Sequence, residues 1–137
     1  MLDPTTIARE KMYKEDAFSQ WLGIEIEEIS LGYCKASMVV RKEMLNGFKI
    51  AHGGITYSLA DSAFAFSSNS YGTHAVSIET SISHTKKVKV GDRLIAESRK
   101  THRGRKTSIY DVVVRGAENE IVALFKGTVF HLESEWK

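Results

Sequence analysis

The chain has 137 residues, 42% of them apolar and 26% charged, with a formal net charge of +2. That length suits one compact domain over residues 1–137, and the balance of residues is that of a globular protein, neither disordered nor fibrous. The mild charge argues against nucleic acid as a partner. The lone Cys34 excludes an internal disulfide, and no apolar stretch approaches the ~20 residues that cross a membrane.

The opening Met-Leu-Asp-Pro lacks the positive start and apolar core of a signal peptide, so the cytoplasm is the expected location. After Pro4, the only proline, residues 5–20 are expected to form a short helix with Ile7, Met12 and Phe18 as apolar contacts and Gly23 as its stop. The period then changes to two. Ile24 and Ile26 alternate with Glu25 and Glu27, and Cys34, Ala36, Met38 and Val40 alternate with Lys35, Ser37 and Arg41, with a turn at Leu31-Gly32. A loop from Lys42 to His52 leads into one long helix, Gly53 to Tyr71, ended by Gly72.

Strand signals then return: Val76, Ile78 and Ile82 alternate with polar residues, and Gly91-Asp92 makes a turn. Further strands are expected near 93–101, at 109–114 and at 121–132, separated by turns at His102–Lys106 and Gly116–Asn119. The pattern is α+β, an antiparallel sheet packed on a single helix. On a helical wheel Ile55, Leu59 and Phe66 share one face while Tyr57, Ala60 and Phe64 take the other. One sheet covers only one face, so the pattern predicts a second subunit over the rest.

Asp61 lies mid-helix among Leu59, Ala60, Ala63 and Phe64, where an unpaired carboxylate costs several kcal/mol to bury. It is either a general base or nucleophile at a ligand cleft, or a carboxylate that reaches the surface or bonds Ser58 and Ser62. Upstream, His52-Gly53-Gly54 opens the helix. Glycines there either let a ligand oxygen reach backbone N–H groups at the positive end of the helix dipole, or simply permit a tight turn. Asn46, before Gly47, is a turn residue by default, and His52 a neighbour that orients the first helical turn.

Other chemistries lack their motifs. There is no G-x-S-x-G elbow, no phosphate-binding P-loop, and no metal-ligand spacing among the five histidines. The basic run His102-Arg103-Gly104-Arg105-Lys106 and the lysines 86, 87 and 89 are solvated turn chemistry by default, and phosphate ligands if an anionic substrate binds nearby.

The string Met44-Leu-Asn46-Gly47, then His52-Gly-Gly54, Ser58-Leu-Ala-Asp61-Ser-Ala-Phe-Ala-Phe66 and Asn69-Ser-Tyr-Gly72 resembles the hotdog-fold acyl-CoA thioesterases, most closely their phenylacetate-degradation branch. The likeness extends from Gly23 to about Leu132, including Gly91-Asp92 and Tyr110-Asp111. It implies a curved antiparallel sheet around one long helix, homodimers with shared active sites that pair into homotetramers, and no cofactor, since coenzyme A is part of the substrate. It implies catalytic roles for Asp61, the Gly53 amide and Asn46, with His52 beside them. Gly54, Ser62, Lys86, Arg103, Arg105 and Lys106 are candidates for contacting substrate or coenzyme A.

The implied reaction is hydrolysis of a phenylacetyl-CoA, hydroxyphenylacetyl-CoA or other medium acyl-CoA thioester. The alternatives are a hotdog dehydratase or acyl-carrier thioesterase, and an acyl-CoA-binding module that does no chemistry. The sequence departs from the family where many relatives carry Arg-Pro and this chain reads His84-Thr-Lys-Lys-Val, and where some carry a threonine one turn past the carboxylate and this chain has Ala65. Asn46 or Ser62 would then hold the water.

Overall fold

A computed structural model describes residues 1–137. Asp3 accepts the Thr6 N–H at 2.7 Å and starts a single turn, α1 (Pro4–Thr6), with Pro4 where no N–H is needed. The chain widens to a π-helical stretch (Ile7–Met12), tightens to a 3-10 turn (Tyr13–Glu15) and restarts as α2 (Ala17–Leu22). The single helix expected over 5–20 is thus broken, and the break has a local cause. Asp16 leaves helical geometry and turns its carboxylate onto the Ser19 N–H at 2.9 Å, so it caps a new helix instead of continuing the old one. Ile7 and Ala8 bury fully as a result, but Phe18 turns outward against Trp21. Gly23, at φ +75°, stops α2 in a left-handed conformation that favours glycine.

The strands are β1 (Glu25–Ser30), β2 (Tyr33–Val39), β3 (Thr73–His84), β4 (Arg93–Arg103), β5 (Thr107–Arg115) and β6 (Ile121–Glu135). They form one antiparallel sheet in the order β1-β2-β4-β5-β6-β3. Side-chain alternation sets the register: Cys34, Ala36 and Met38 of β2 and Leu94, Ala96 and Ser98 of β4 are buried on the same face.

Helix α3 (Gly53–Ser68) lies against that face, its 16 residues spanning about 24 Å. It stops at Ser68, three residues before the expected Tyr71. There the Asn69 amide group takes the Ala65 and Ala75 carbonyls, and the Ser70 hydroxyl takes the Ser67 carbonyl. Gly127 of β6 makes room for the helix: a Cβ there would stand 2.5 Å from Phe64 Cζ.

Of the residues on the two faces of the wheel, Ile55, Leu59, Phe66, Ala60 and Phe64 are buried within one chain and Tyr57 stays half-open. Phe64 packs on Tyr110 and Phe125 of the sheet, with ring centroids 5.9 and 5.6 Å away, while Tyr13 of the N-terminal segment meets Phe66 at 6.4 Å. What the chain leaves half-open on α3 is a narrow stripe at Tyr57, Ser58, Asp61 and Ala65. A second uncovered feature is the β3 edge. Its outer side has no strand partner, and it carries Val76 and Ile78 at 45% and 58% exposure. The opposite edge, β1, carries Glu25, Glu27 and Glu28, charges of the kind that discourage strand addition. No helix is long and apolar enough to cross a membrane.

Candidate functional site

The first turn of α3 is organised by His52. Its Nδ1 accepts the Gly54 N–H at 2.8 Å, while its backbone N–H donates to the Met44 carbonyl. His52 is therefore a helix cap, and the Gly54 amide is consumed by it. Gly53, one residue earlier, has no carbonyl behind it in the helix, and its N–H has no partner in the chain. The donor is thus free at the positive end of the helix dipole.

Gly53 opens into a cleft of about 390 Å³ lined by Asn46, Ala51, Thr56, His84 and Lys86. Asn46 sits in a tight loop closed by the Leu45–Ala51 bridge. Its Oδ1 accepts the Phe48 N–H at 2.9 Å, leaving its amide nitrogen uncommitted beside the cleft. Asn46 is therefore both a turn residue and a cleft residue. Lys86 reaches the same cleft with Glu120 3.7 Å from its Nζ.

Asp61 is half-buried two turns further along α3. The serines that could have satisfied it are engaged elsewhere: Ser58 Oγ donates to the Gly54 carbonyl at 2.7 Å, and Ser62 Oγ pairs with Ser19 Oγ at 2.8 Å. The carboxylate has no hydrogen-bond partner or counter-ion in the chain. Loss of water, and then the negative charge of Asp16, push its pKa above the ordinary carboxylate value, making it a better base than a surface aspartate.

The structure does not gather all the expected residues. Eight residues of helix separate Gly53 from Asp61, about 12 Å along the axis, so within one chain Asp61 cannot touch a carbonyl held at the Gly53 N–H. Ser62 is 9% exposed and turned towards α2, away from the cleft. Arg103, Arg105 and Lys106 line a separate groove with Thr73, Phe130 and His131. That groove lies at the far end of α3, because the β4–β5 hairpin folds over Tyr71: Arg103 stacks on its ring at 4.1 Å and Lys100 Nζ lies 2.9 Å from its hydroxyl. The two basic clusters are therefore apart within one chain, not together at one thioester site.

Two cleft residues were not singled out from the sequence. Thr56 is one turn into α3, and His84 ends β3 with its Nε2 3.1 Å from where a Gly53 Cβ would be. The only sequence signal for His84 was its place in the departure from Arg-Pro. Cys34 is no nucleophile, since burial pushes its thiol up to about 12. No cluster of three or more potential metal ligands is present.

Comparison with known proteins agrees with this architecture. The family model described as "Thioesterase superfamily" matches residues 48–123, from the end of the loop through α3, β3, β4 and β5 to the start of β6. The acyl-coenzyme A thioesterase PaaI of Escherichia coli is 39% identical over 116 residues, covering 85% of this chain and 83% of that protein. The structure of the E. coli PaaI protein from the phenylacetic acid degradation operon superposes with a TM-score of 0.93 at 34% identity, covering 96% of each chain. A Streptococcus mutans protein solved bound to acetyl-CoA matches at TM-score 0.79 and 31% identity, over 83% of this chain and 91% of that one. With a free amide at the head of a long central helix, a carboxylate two turns on, and these matches across nearly its whole length, the chain belongs to the hotdog-fold thioesterase superfamily, in its PaaI-like branch.

Proposed function

We propose that the protein hydrolyses acyl-CoA thioesters to the free acid and coenzyme A, favouring phenylacetyl, hydroxyphenylacetyl or similar medium acyl groups. One observation carries the reading: an unpartnered N–H at Gly53 and an unpartnered, half-buried carboxylate at Asp61 lie on one helix, too far apart to act together within a single chain. A two-fold homodimer resolves this. In two α3 helices running antiparallel, with Tyr57 facing Tyr57, Asp61 of one protomer stands opposite the partner's Gly53. The half-open stripe Tyr57-Ser58-Asp61-Ala65 is the surface such a neighbour would cover. The unpaired edge of β3, with exposed Val76 and Ile78, offers the matching strand junction. Dimers of this kind pair into tetramers in our reading, each site being a whole domain's cleft plus the partner's carboxylate.

In the reaction the thioester oxygen accepts the Gly53 N–H, which stabilises the oxyanion as charge moves onto it. Asp61 either takes a proton from a water whose oxygen bonds the carbonyl carbon, or bonds that carbon itself to give a mixed anhydride that water then opens. Either way the C–S bond breaks, its electron pair leaves with sulfur, and the proton from water ends on the thiolate or in solvent. The Asn46 amide group orients the carbonyl or the water. Lys86 meets a coenzyme A phosphate, and Arg103, Arg105 and Lys106 serve the nucleotide end of a coenzyme A that extends between protomers. The S. mutans relative bound to acetyl-CoA supports this ligand class. No cofactor is needed.

The test is free-thiol release from a panel of acyl-CoAs by the wild type and Asp61→Asn. Arylacetyl-CoA turnover that collapses in the variant supports the reading. Saturable binding without thiol release would make the protein an acyl-CoA-binding module instead.

A further inference from the structure

Beside Asp61, a buried polar chain ties the N-terminal segment to α3. Asp16 Oδ1 accepts the Ser19 N–H at 2.9 Å, its Oδ2 accepts the Ser19 hydroxyl at 2.6 Å, and Ser19 Oγ meets Ser62 Oγ at 2.8 Å. Ser19 and Ser62 are 1% and 9% exposed, so this is an interior connection. Its direction is fixed. Ser19 has a single hydroxyl proton and gives it to Asp16, so Ser62 must donate to Ser19. The Ser62 oxygen is then left only as an acceptor, unable to hydrogen-bond the Asp61 carboxylate next to it. The bridge therefore holds a second negative charge near Asp61 while committing the Ser62 hydroxyl proton to Ser19.

We propose that Asp16 is a positioning residue for the reaction, its carboxylate held by the Ser19–Ser62 bridge on the side of α3 that carries Asp61. This rests on the assignment of Asp61 above and deepens it. Other groups around Asp61 do not supply the effect. α3 carries no other ionisable side chain except Tyr57, whose hydroxyl pairs with Thr80 Oγ1 at 2.7 Å. α2 has none beyond its cap. In the π-helical stretch Arg9 donates to the Ile26 carbonyl at 2.7 Å, Glu10 pairs with Lys14 at the surface, and Lys11 is exposed. The sheet residues buried beneath the helix, such as Ala36, Leu94, Ala96 and Val112, are uncharged. The titratable ones, Cys34 and Tyr110, are raised by burial and so neutral in the working pH range.

The experiment follows the Asp61 carboxyl by carbon-13 NMR over pH, its signal identified by loss in Asp61→Asn, in wild type, Asp16→Asn and Ser62→Ala. Asp16→Asn keeps an oxygen for the Ser19 N–H but removes the charge. It should lower the Asp61 titration midpoint, and the acid limb of kcat/KM should move to lower pH with it. Ser62→Ala cuts the bridge without touching the charge and should shift the titration the same way by less. If Asp16→Asn does not fold, the Ser62→Ala shift decides alone. An Asp61 titration unmoved in every folded variant overturns the proposal. Full activity in Asp61→Asn would instead defeat the assignment of Asp61, leaving the NMR titration to judge the coupling on its own.

Discussion

At its C-terminal end α3 closes on Asn69, whose amide nitrogen donates to the Ala65 and Ala75 carbonyls and whose oxygen accepts from the Ala75 N–H and the Trp136 indole. At its N-terminal end His52 caps only the Gly54 amide and leaves Gly53 free. Every helix leaves orphan backbone groups at both ends, and burial normally forces a protein to satisfy them. This chain completes one end and leaves a donor open at the other, beside a cleft. The completed end holds the fold together, and the open end is where a substrate oxygen can be gripped.

The largest effect that tests this contrast is on Asp61, the other unsatisfied group of the helix. Asp61→Asn should leave the fold intact and cost roughly 10² to 10⁴-fold in kcat if the residue is the base, as measured by thiol release. Loss of the fold in this variant, or full turnover, would break the link between unsatisfied groups and function.

Most of the architecture was readable because alternation and helical periodicity are local signals: Cys34, Ala36 and Met38 face inward as their spacing requires, and Gly53 begins the long helix. The readings that failed concerned groups whose partners are distant in sequence or depend on cap chemistry. Asp16 breaks the first helix because its carboxylate finds Ser19, which competes with helix continuation. The cover that Tyr13 gives Phe66 comes from some fifty residues earlier in the chain, which a helical wheel of α3 alone does not contain. Asp61 and Gly53 were legible as a motif, and their separation of about 12 Å follows from helical rise. The separate groove of Arg103, Arg105 and Lys106 is set by Tyr71 catching the β4–β5 hairpin, which no local pattern announces.

The next effect concerns the closed end. Asn69 is 3% exposed and makes four hydrogen bonds, so Asn69→Ala strands several buried partners. It should lower unfolding free energy by about 2 to 4 kcal/mol in a denaturant titration, while kcat per folded molecule stays close to wild type. A specific loss of kcat at unchanged stability would contradict the division between the two ends. At the open end, His52→Ala removes a cap and should cost about 0.5 to 2 kcal/mol. Because it frees the Gly54 N–H without touching that of Gly53, kcat should change little. A collapse of kcat would instead give His52 a direct part in the chemistry.

The smallest effect reads the same contrast through pH. Asp61 titrates higher in the folded protein than in the unfolded chain, because burial and then Asp16 disfavour its charge. Between the two values the folded state holds more protons than the unfolded one, so this group's contribution to stability rises as pH falls through the folded value, and levels off below the unfolded value. At neutral pH the ionised carboxylate is a liability to the fold, and Asp61→Asn should melt slightly higher than wild type. Because the side chain is only half-buried, solvent screening keeps the gain below that of a fully buried charge. The difference in melting temperature should shrink as pH falls through the folded value and vanish only below the unfolded-state value of about 3.9, where the wild-type carboxyl is protonated in both states. A variant that melts lower at pH 7, or a gap that widens in acid, would mean that the folded chain already satisfies the Asp61 charge. The carboxylate would then have no excess basicity to give to a reaction.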